Sequence, residues 1–281
     1  MTRWTDAQGN EIDEEDRGLV YDMTTLVNRR AALGLFGGVS VLTLLAACGV
    51  VPTPTTTSSA SASPSTDTGS ADAAMTEVPD ETGGPYPGDG SNGVNVLDDS
   101  GIVRSDIRSS FGASTVTAAG VPLTIVLTVR DAATGDALSG GAVYLWHCDR
   151  DGAYSLYSDG LTDVNYLRGV QQIGADGSVT FTSIFPGCYA GRWPHIHFEV
   201  YSDVATAIAS GPIVKTSQIA LPKEASEAVY ATTGYDSSVR NLAQTTLAGD
   251  NVFGDDGGIH QIATMTGSAA AGYTAALTIG V

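Results

Sequence analysis

Short runs of β-branched and apolar residues, each stopped by a turn signal, recur from residue 121 to the end of this chain. Leu123 to Val129 reads LTIVLTV and ends at Ala133-Thr134-Gly135-Asp136, after the entry point Val121-Pro122. Ala142 to Cys148 reads AVYLWHC and stops at Asp149-Arg150-Asp151-Gly152. Leu167 to Ile173 runs into Gly174-Ala175-Asp176-Gly177 and then Ser178 to Ile184, a spacing that predicts a hairpin. His195 to Tyr201, Ile213 to Leu221 and Tyr273 to Val281 extend the set. Only Lys223 to Ala231, with Pro222 just before its first turn, has helix signals. Such a pattern means an all-β sandwich or barrel, and the expected fold is a β-sandwich of about seven or more strands with one short helix.

The segment before residue 94 reads differently. Asn28-Arg29-Arg30 precedes an apolar run from Ala31 to Ala47, closed by Leu45-Ala46-Ala47-Cys48. Paired arginines, a modest apolar run and a small-residue site read as an export signal over 1–47, with Cys48 as the lipidated residue. Asn28 and Ala32 depart from the usual twin-arginine pattern. A membrane-spanning helix is the other reading, but the run carries Gly34, Gly37 and Gly38 and is shorter than the roughly 20 apolar residues a span needs. Val51 to Ala74 is a Pro/Thr/Ser/Ala stretch too poor in large apolar groups to order itself, hence a tether. The sequence thus divides into a signal (1–47), a lipid-anchored linker (48–93) that continues through the extended Pro85-Tyr86-Pro87-Gly88, and a domain (94–281). The expected location is the cell surface, attached to the membrane through Cys48.

Charge excludes some partners. With 13 Lys+Arg against 31 Asp+Glu the formal charge is −18, which disfavours nucleic acid and basic-patch binding to anionic lipid.

His195 and His197 lie two apart on a predicted strand, so their imidazoles share a face. They suit Fe, Cu, Zn or Ni, or they are polar residues on a solvated face. Around them stand Trp146-His147-Cys148-Asp149-Arg150-Asp151-Gly152-Ala153-Tyr154-Ser155, then Leu167-Arg168-Gly169, Asp176-Gly177, Pro186-Gly187-Cys188-Tyr189 and His195-Ile196-His197. In that order these resemble the intradiol ring-cleavage dioxygenases, the catechol and protocatechuate dioxygenase family, whose pattern is W-x-x-D-x-x-G-x-Y-S, L-R-G, D-G, P-G-x-Y and H-I-H.

The resemblance implies a mononuclear ferric site ligated by Tyr154, Tyr189, His195 and His197, and cleavage of catechol-type rings between the hydroxyls with O₂ to muconate-type diacids. It implies that Tyr189 gives way to substrate while the other three ligands stay. It also implies that Arg192 acts on charge developing in the ring, and that Gln218 lies near the same centre. Buried tyrosines with hydrogen-bonded hydroxyls are the alternative for Tyr154 and Tyr189, and a solvated strand residue for Gln218. Trp193 reads as pocket wall or rim aromatic; His147 and His260 read as structural or solvated. The segment between Tyr189 and His195 is shorter than in well-known members, which points to a more open mouth. A cell-surface binding module that kept the sandwich but lost turnover is the rival function. Cys148 and Cys188 are expected to form a disulfide bracing both tyrosine segments, the alternative being two buried thiols.

Overall fold

The computed structural model describes residues 75–281. The expected signal, the lipid anchor at Cys48 and the 51–74 tether lie outside those residues. Eight strands form two four-stranded sheets: β1 (Pro122–Arg130), β2 (Ala142–Trp146), β3 (Arg168–Gln172), β4 (Ser178–Ile184), β5 (His195–Tyr201), β6 (Ile213–Ala220), β7 (Thr264–Ser268) and β8 (Gly272–Gly280). The first sheet runs β4-β1-β8-β7 and the second β3-β2-β5-β6. All neighbours are antiparallel except β1 and β8. Three helices, α1 (Val204–Ile208), α2 (Lys223–Tyr230) and α3 (Asp236–Gln244), follow β5 and β6. Among the described residues no helix is long and apolar enough to cross a membrane. The all-β sandwich read from the sequence is the observed architecture.

Alternation sets the two layers of the second sheet. Val143 and Leu145 of β2, and Ile196, Phe198 and Val200 of β5, face the first sheet, where they join Leu123, Ile125, Leu127 and Val129 in the main core. Their neighbours Tyr144, Trp146 and Tyr201 point the other way and join Val96, Leu97, Tyr154 and Tyr189 in a second cluster. Every residue of β5 is therefore buried, one set against each layer. The polar residues of β5, His195, His197 and Glu199, belong to the outward set. That places them under whatever covers the second sheet.

The cover includes residues 75–93, which the sequence analysis assigned to the linker. They form a strap. Val78 N–H bonds Gly280 O and Glu81 N–H bonds Thr216 O. Lys215, buried in β6, pairs with Glu77 and with Asp80 at 3.2 Å. The composition around Pro85 gave no sign of this, because the strap is held largely by polar contacts to the sandwich, with Val78 entering the main core and Tyr86 packing on the second cluster.

Three other expectations need correction. The turn at Gly174–Gly177 is tight, with Gly174 N–H on Ser178 O, but β3 pairs with β2 and β4 with β1. The chain crosses there between sheets and makes no hairpin. The strand β7 was missed because TMTGS is mostly exposed and carries no apolar alternation. Helix α3 was missed because only Ser238 and Leu242 are buried on it, and α1 because five residues capped by Asp203 are too short to show a period.

Candidate active site

Two loops and one strand bring four aromatic donors together. On β5, His195 and His197 share a face as expected, with their Nε2 atoms 3.2 Å apart. The Tyr189 hydroxyl lies 3.1 Å from His195 Nε2. Tyr154 meets Tyr189 and His197 edge-on, with ring centroids at 6.0 and 6.2 Å. Among the described residues no group of three His, Cys, Asp or Glu side chains gathers as a metal site, so a metal here depends on the tyrosines.

Local chemistry explains how the loops hold these rings. Asp149 Oδ1 accepts the Asp151 and Ala153 N–H groups, folding the loop that delivers Tyr154, while the Tyr166 hydroxyl donates to Asp149 Oδ2 at 3.0 Å. Gly152 has φ of +88°, and a Cβ there would meet Tyr189 Cβ at 3.1 Å. A Cβ at Gly187 would meet Arg150 O at 2.5 Å. Both glycines let the two tyrosine segments touch. Arg168 is fully buried and donates to Ser155 Oγ, Ser155 O and Pro87 O, which makes it a strut beneath the site. Trp146 stands opposite His197 in the β2–β5 register and stacks on it at 4.9 Å and 5°.

The electrostatics fit a cation. His195 Nδ1 lies 2.6 Å from Trp193 O. A carbonyl only accepts, so Nδ1 carries the proton and Nε2 presents a lone pair to the cluster. Burial drives both imidazoles well below the ordinary histidine range, with the Arg192 charge adding to it for each. They are neutral, as ligands must be. The buried Tyr154 hydroxyl makes no hydrogen bond of ordinary geometry. Burial holds its ionisation well above that of a free phenol, and Tyr189 raises it further. A phenolate there requires a compensating positive ion. Neutral imidazole nitrogens beside two phenol oxygens form a donor set of the hard and borderline kind that suits iron.

Arg192 and Gln218 flank the cluster, and neither is solvated. Gln218 stands opposite His197 in the β5–β6 register. Arg192 is 1 % exposed, donates to Gln218 Oε1 at 2.7 Å and pairs with Asp250 Oδ2 at 3.0 Å. Asp250 was not found from sequence. It lies far along the chain in a Gly-Asp-Asn turn, and only the need of a buried guanidinium for a counter-charge hinted at it. Asp250 also accepts the Trp193 and Val252 N–H groups. Trp193 is a core anchor rather than a wall, its indole N–H donating to Leu221 O at 2.8 Å. His147 is structural: its Nε2 meets Ser183 Oγ at 2.6 Å, and burial lowers it to about 4. His260 lies outside the donor set and is partly exposed.

The expected disulfide is absent. Cys148 and Cys188 are buried free thiols, Cys148 Sγ directed at Gly187 O and Cys188 Sγ at Arg192 O. Each thiol finds a carbonyl in its own surroundings, and the two tyrosine segments are braced by glycine contacts instead of a bridge.

Comparison with known proteins agrees with this geometry. Residues 110–211 match the family model described as Dioxygenase. The chain is 34% identical over 95 residues to chlorocatechol 1,2-dioxygenase of Rhodococcus opacus. Its fold matches the intradiol ring-cleavage dioxygenase from Tetranychus urticae with a TM-score of 0.53 and 25% identity, covering 65% of this chain and 87% of that one. The family model, the relative and the fold together support the intradiol ring-cleavage dioxygenase family. The Rhodococcus match takes in 27% of this chain and spans 37% of that enzyme's length.

Proposed function

We propose that this protein is an Fe³⁺-dependent dioxygenase that opens catechol-type rings between their two hydroxyls with O₂, giving muconate-type diacids. The observation that carries this reading is the buried convergence of Tyr154, Tyr189, His195 and His197, with the His195 Nε2 lone pair turned to the Tyr189 hydroxyl and His197 and with Tyr154 Oη lacking an ordinary hydrogen bond. When bound, ferric iron supplies a Lewis acid that makes a chelated catecholate reactive toward O₂.

The residues divide the remaining work. Tyr154, His195 and His197 are each 2 % exposed and serve as the fixed ligands. Tyr189, at 8 %, is the most accessible of the four. With iron bound, Tyr189 would be the ligand to yield to an incoming diol, and its phenolate oxygen would accept one substrate proton. Arg192 contributes a fixed positive charge felt by Tyr154, His195 and His197. Asp250 and Gln218 hold that charge in place, so no reorganisation is needed as negative charge grows on the ring. The apolar cluster of Trp146, Val96 and Leu97 behind the histidines excludes water.

Export and anchoring through Cys48 belong to the same proposal, with 51–74 as the tether. One acyl chain gives only marginal membrane residence, so multiple acylation at Cys48 is required. Cys48→Ala then releases the protein from membranes or blocks its processing; an unchanged membrane fraction places the anchor elsewhere.

The direct test is elemental analysis of protein expressed with ample iron. It should carry about one iron per chain and be red-brown from tyrosinate-to-iron charge transfer. Tyr154→Phe and His197→Ala should each bleach the colour. Zinc, or no metal, in the parent protein contradicts the proposal.

A further inference from the structure

The backbone just before Tyr189 is gripped from one side, by side chains of α2 and α3. The Tyr230 hydroxyl, at the end of α2, donates to Pro186 O at 3.1 Å. The Tyr235 hydroxyl, just before α3, donates to Phe185 O at 2.8 Å. Within α3, Ser238 Oγ accepts the Cys188 N–H at 2.9 Å, and Asn241 Nδ2 donates to Cys188 O at 2.8 Å. Both backbone polar groups of Cys188, the residue before Tyr189, are thus taken by one helix. Ser238 and Asn241 stand three apart, so they share a face of α3. Ser238 is fully buried, and Leu242 beside it seats the helix in the main core.

The hold after Tyr189 is weaker. The Arg192 N–H reaches Tyr189 O only at 3.5 Å. Gly191 is exposed and has φ of +81°, a left-handed conformation that glycine adopts without strain. Tyr189 therefore stands between a clamped segment and a lightly held turn. Removing either α3 partner leaves a buried backbone group unsatisfied, which the segment relieves by shifting.

We infer that Ser238 and Asn241 are positioning residues for Tyr189: by fixing the Cys188 backbone they hold the tyrosine hydroxyl against His195 and set how readily it gives way to a diol. This rests on the dioxygenase reading and adds what governs its yielding ligand. With the backbone clamped, Tyr189 moves by turning its side chain alone, and its hydroxyl returns to the same place beside His195 Nε2. A slack clamp has two opposite effects. The tyrosine competes less well with the diol, which tightens binding. Its oxygen is also misplaced as a proton acceptor, which slows turnover.

The test uses Asn241→Leu, which keeps the size and removes the donor, and Ser238→Ala, which removes the acceptor. Each is made in the iron-loaded full chain and again in a Tyr189→Phe background. Nitrocatechol, titrated by absorbance, should bind about three- to tenfold more tightly to both single variants, while kcat on catechol falls by a similar factor. The charge-transfer band of both should shift toward that of Tyr189→Phe. In the Tyr189→Phe background neither substitution should alter nitrocatechol affinity by more than about twofold, because the hydroxyl they position is already gone. Should Asn241→Leu fail to fold, Ser238→Ala decides alone. Unchanged affinity and band position in a parent that binds nitrocatechol overturn the inference and leave the dioxygenase reading intact. Affinity and kcat falling together, or equal changes with and without the Tyr189 hydroxyl, also overturn it, since α3 would then serve only to support the fold. A parent that holds iron and fails to bind nitrocatechol overturns the dioxygenase reading and this inference with it.

Discussion

The two tyrosines are unequal, and their difference in burial assigns them different tasks. Tyr154 is closed off and its hydroxyl makes no ordinary hydrogen bond, while Tyr189 sits nearer the surface, against His195. Tyr189→Phe should consequently keep part of the iron and slow turnover, where Tyr154→Phe loses the colour; equal bleaching in both would contradict the division. Arg192 carries a second prediction at this scale. Truncating one partner of a buried pair leaves the other charge uncompensated, at a cost of about 3–5 kcal/mol. Asp250→Ala should show that loss in urea unfolding, and combining Arg192→Met with Asp250→Asn, which keeps an acceptor for the Trp193 and Val252 N–H groups, should cost less than the sum of the two single changes. Additive losses in the double variant would show that the pair is not coupled. The same contact means that Arg192→Ala alone reports on stability as well as on catalysis. Sequence made the four clustered donors legible because each sits in a local motif with fixed spacing. Asp250 was not legible, since it acts through Arg192, a partner remote in the chain.

At the scale of elements, the strap differs most from what composition suggested. It buries Glu81 beside Gln261, with burial first and then Asp255 raising that carboxyl to about 8. Glu199 of β5, under the strap, is raised to about 8 by burial and then Asp89. A carboxyl with a raised folded pKa binds more protons folded than unfolded, so stability falls as pH rises between the ordinary carboxylate range and about 8. The full contribution is present below that window and lost above it. Glu81→Gln should flatten part of this slope in Tm measured across the window; an unaltered slope would mean that Glu81 titrates normally. The strands carrying β-branched alternation were legible within a residue or two, because burial against a facing sheet imposes a period. Crossing between sheets at Gly174–Gly177 was not, since a tight turn looks alike whether its strands pair or part. Exposed β7 and the weakly apolar α3 left no periodic trace to read.

The whole molecule folds around the second sheet as a middle layer, main core on one side and donor cluster on the other. This arrangement needs no covalent brace between the tyrosine loops. With Cys48 replaced by Ala, denatured and unreduced protein should therefore titrate as two thiols, from Cys148 and Cys188. In the native state both should resist alkylation, because burial raises Cys188 to about 12 and Cys148 well above its ordinary range. No free thiol after denaturation would restore the bridge. The central claim is that this layered cluster opens catechol-type rings between the hydroxyls. Its most direct test is the product formed from catechol by the iron-loaded protein under isotopically labelled O₂. The account predicts a muconate-type diacid with one labelled oxygen on each new carboxyl; an aldehyde-bearing product, cleaved beside the hydroxyls, or no uptake of O₂ by fully iron-loaded protein, would contradict it.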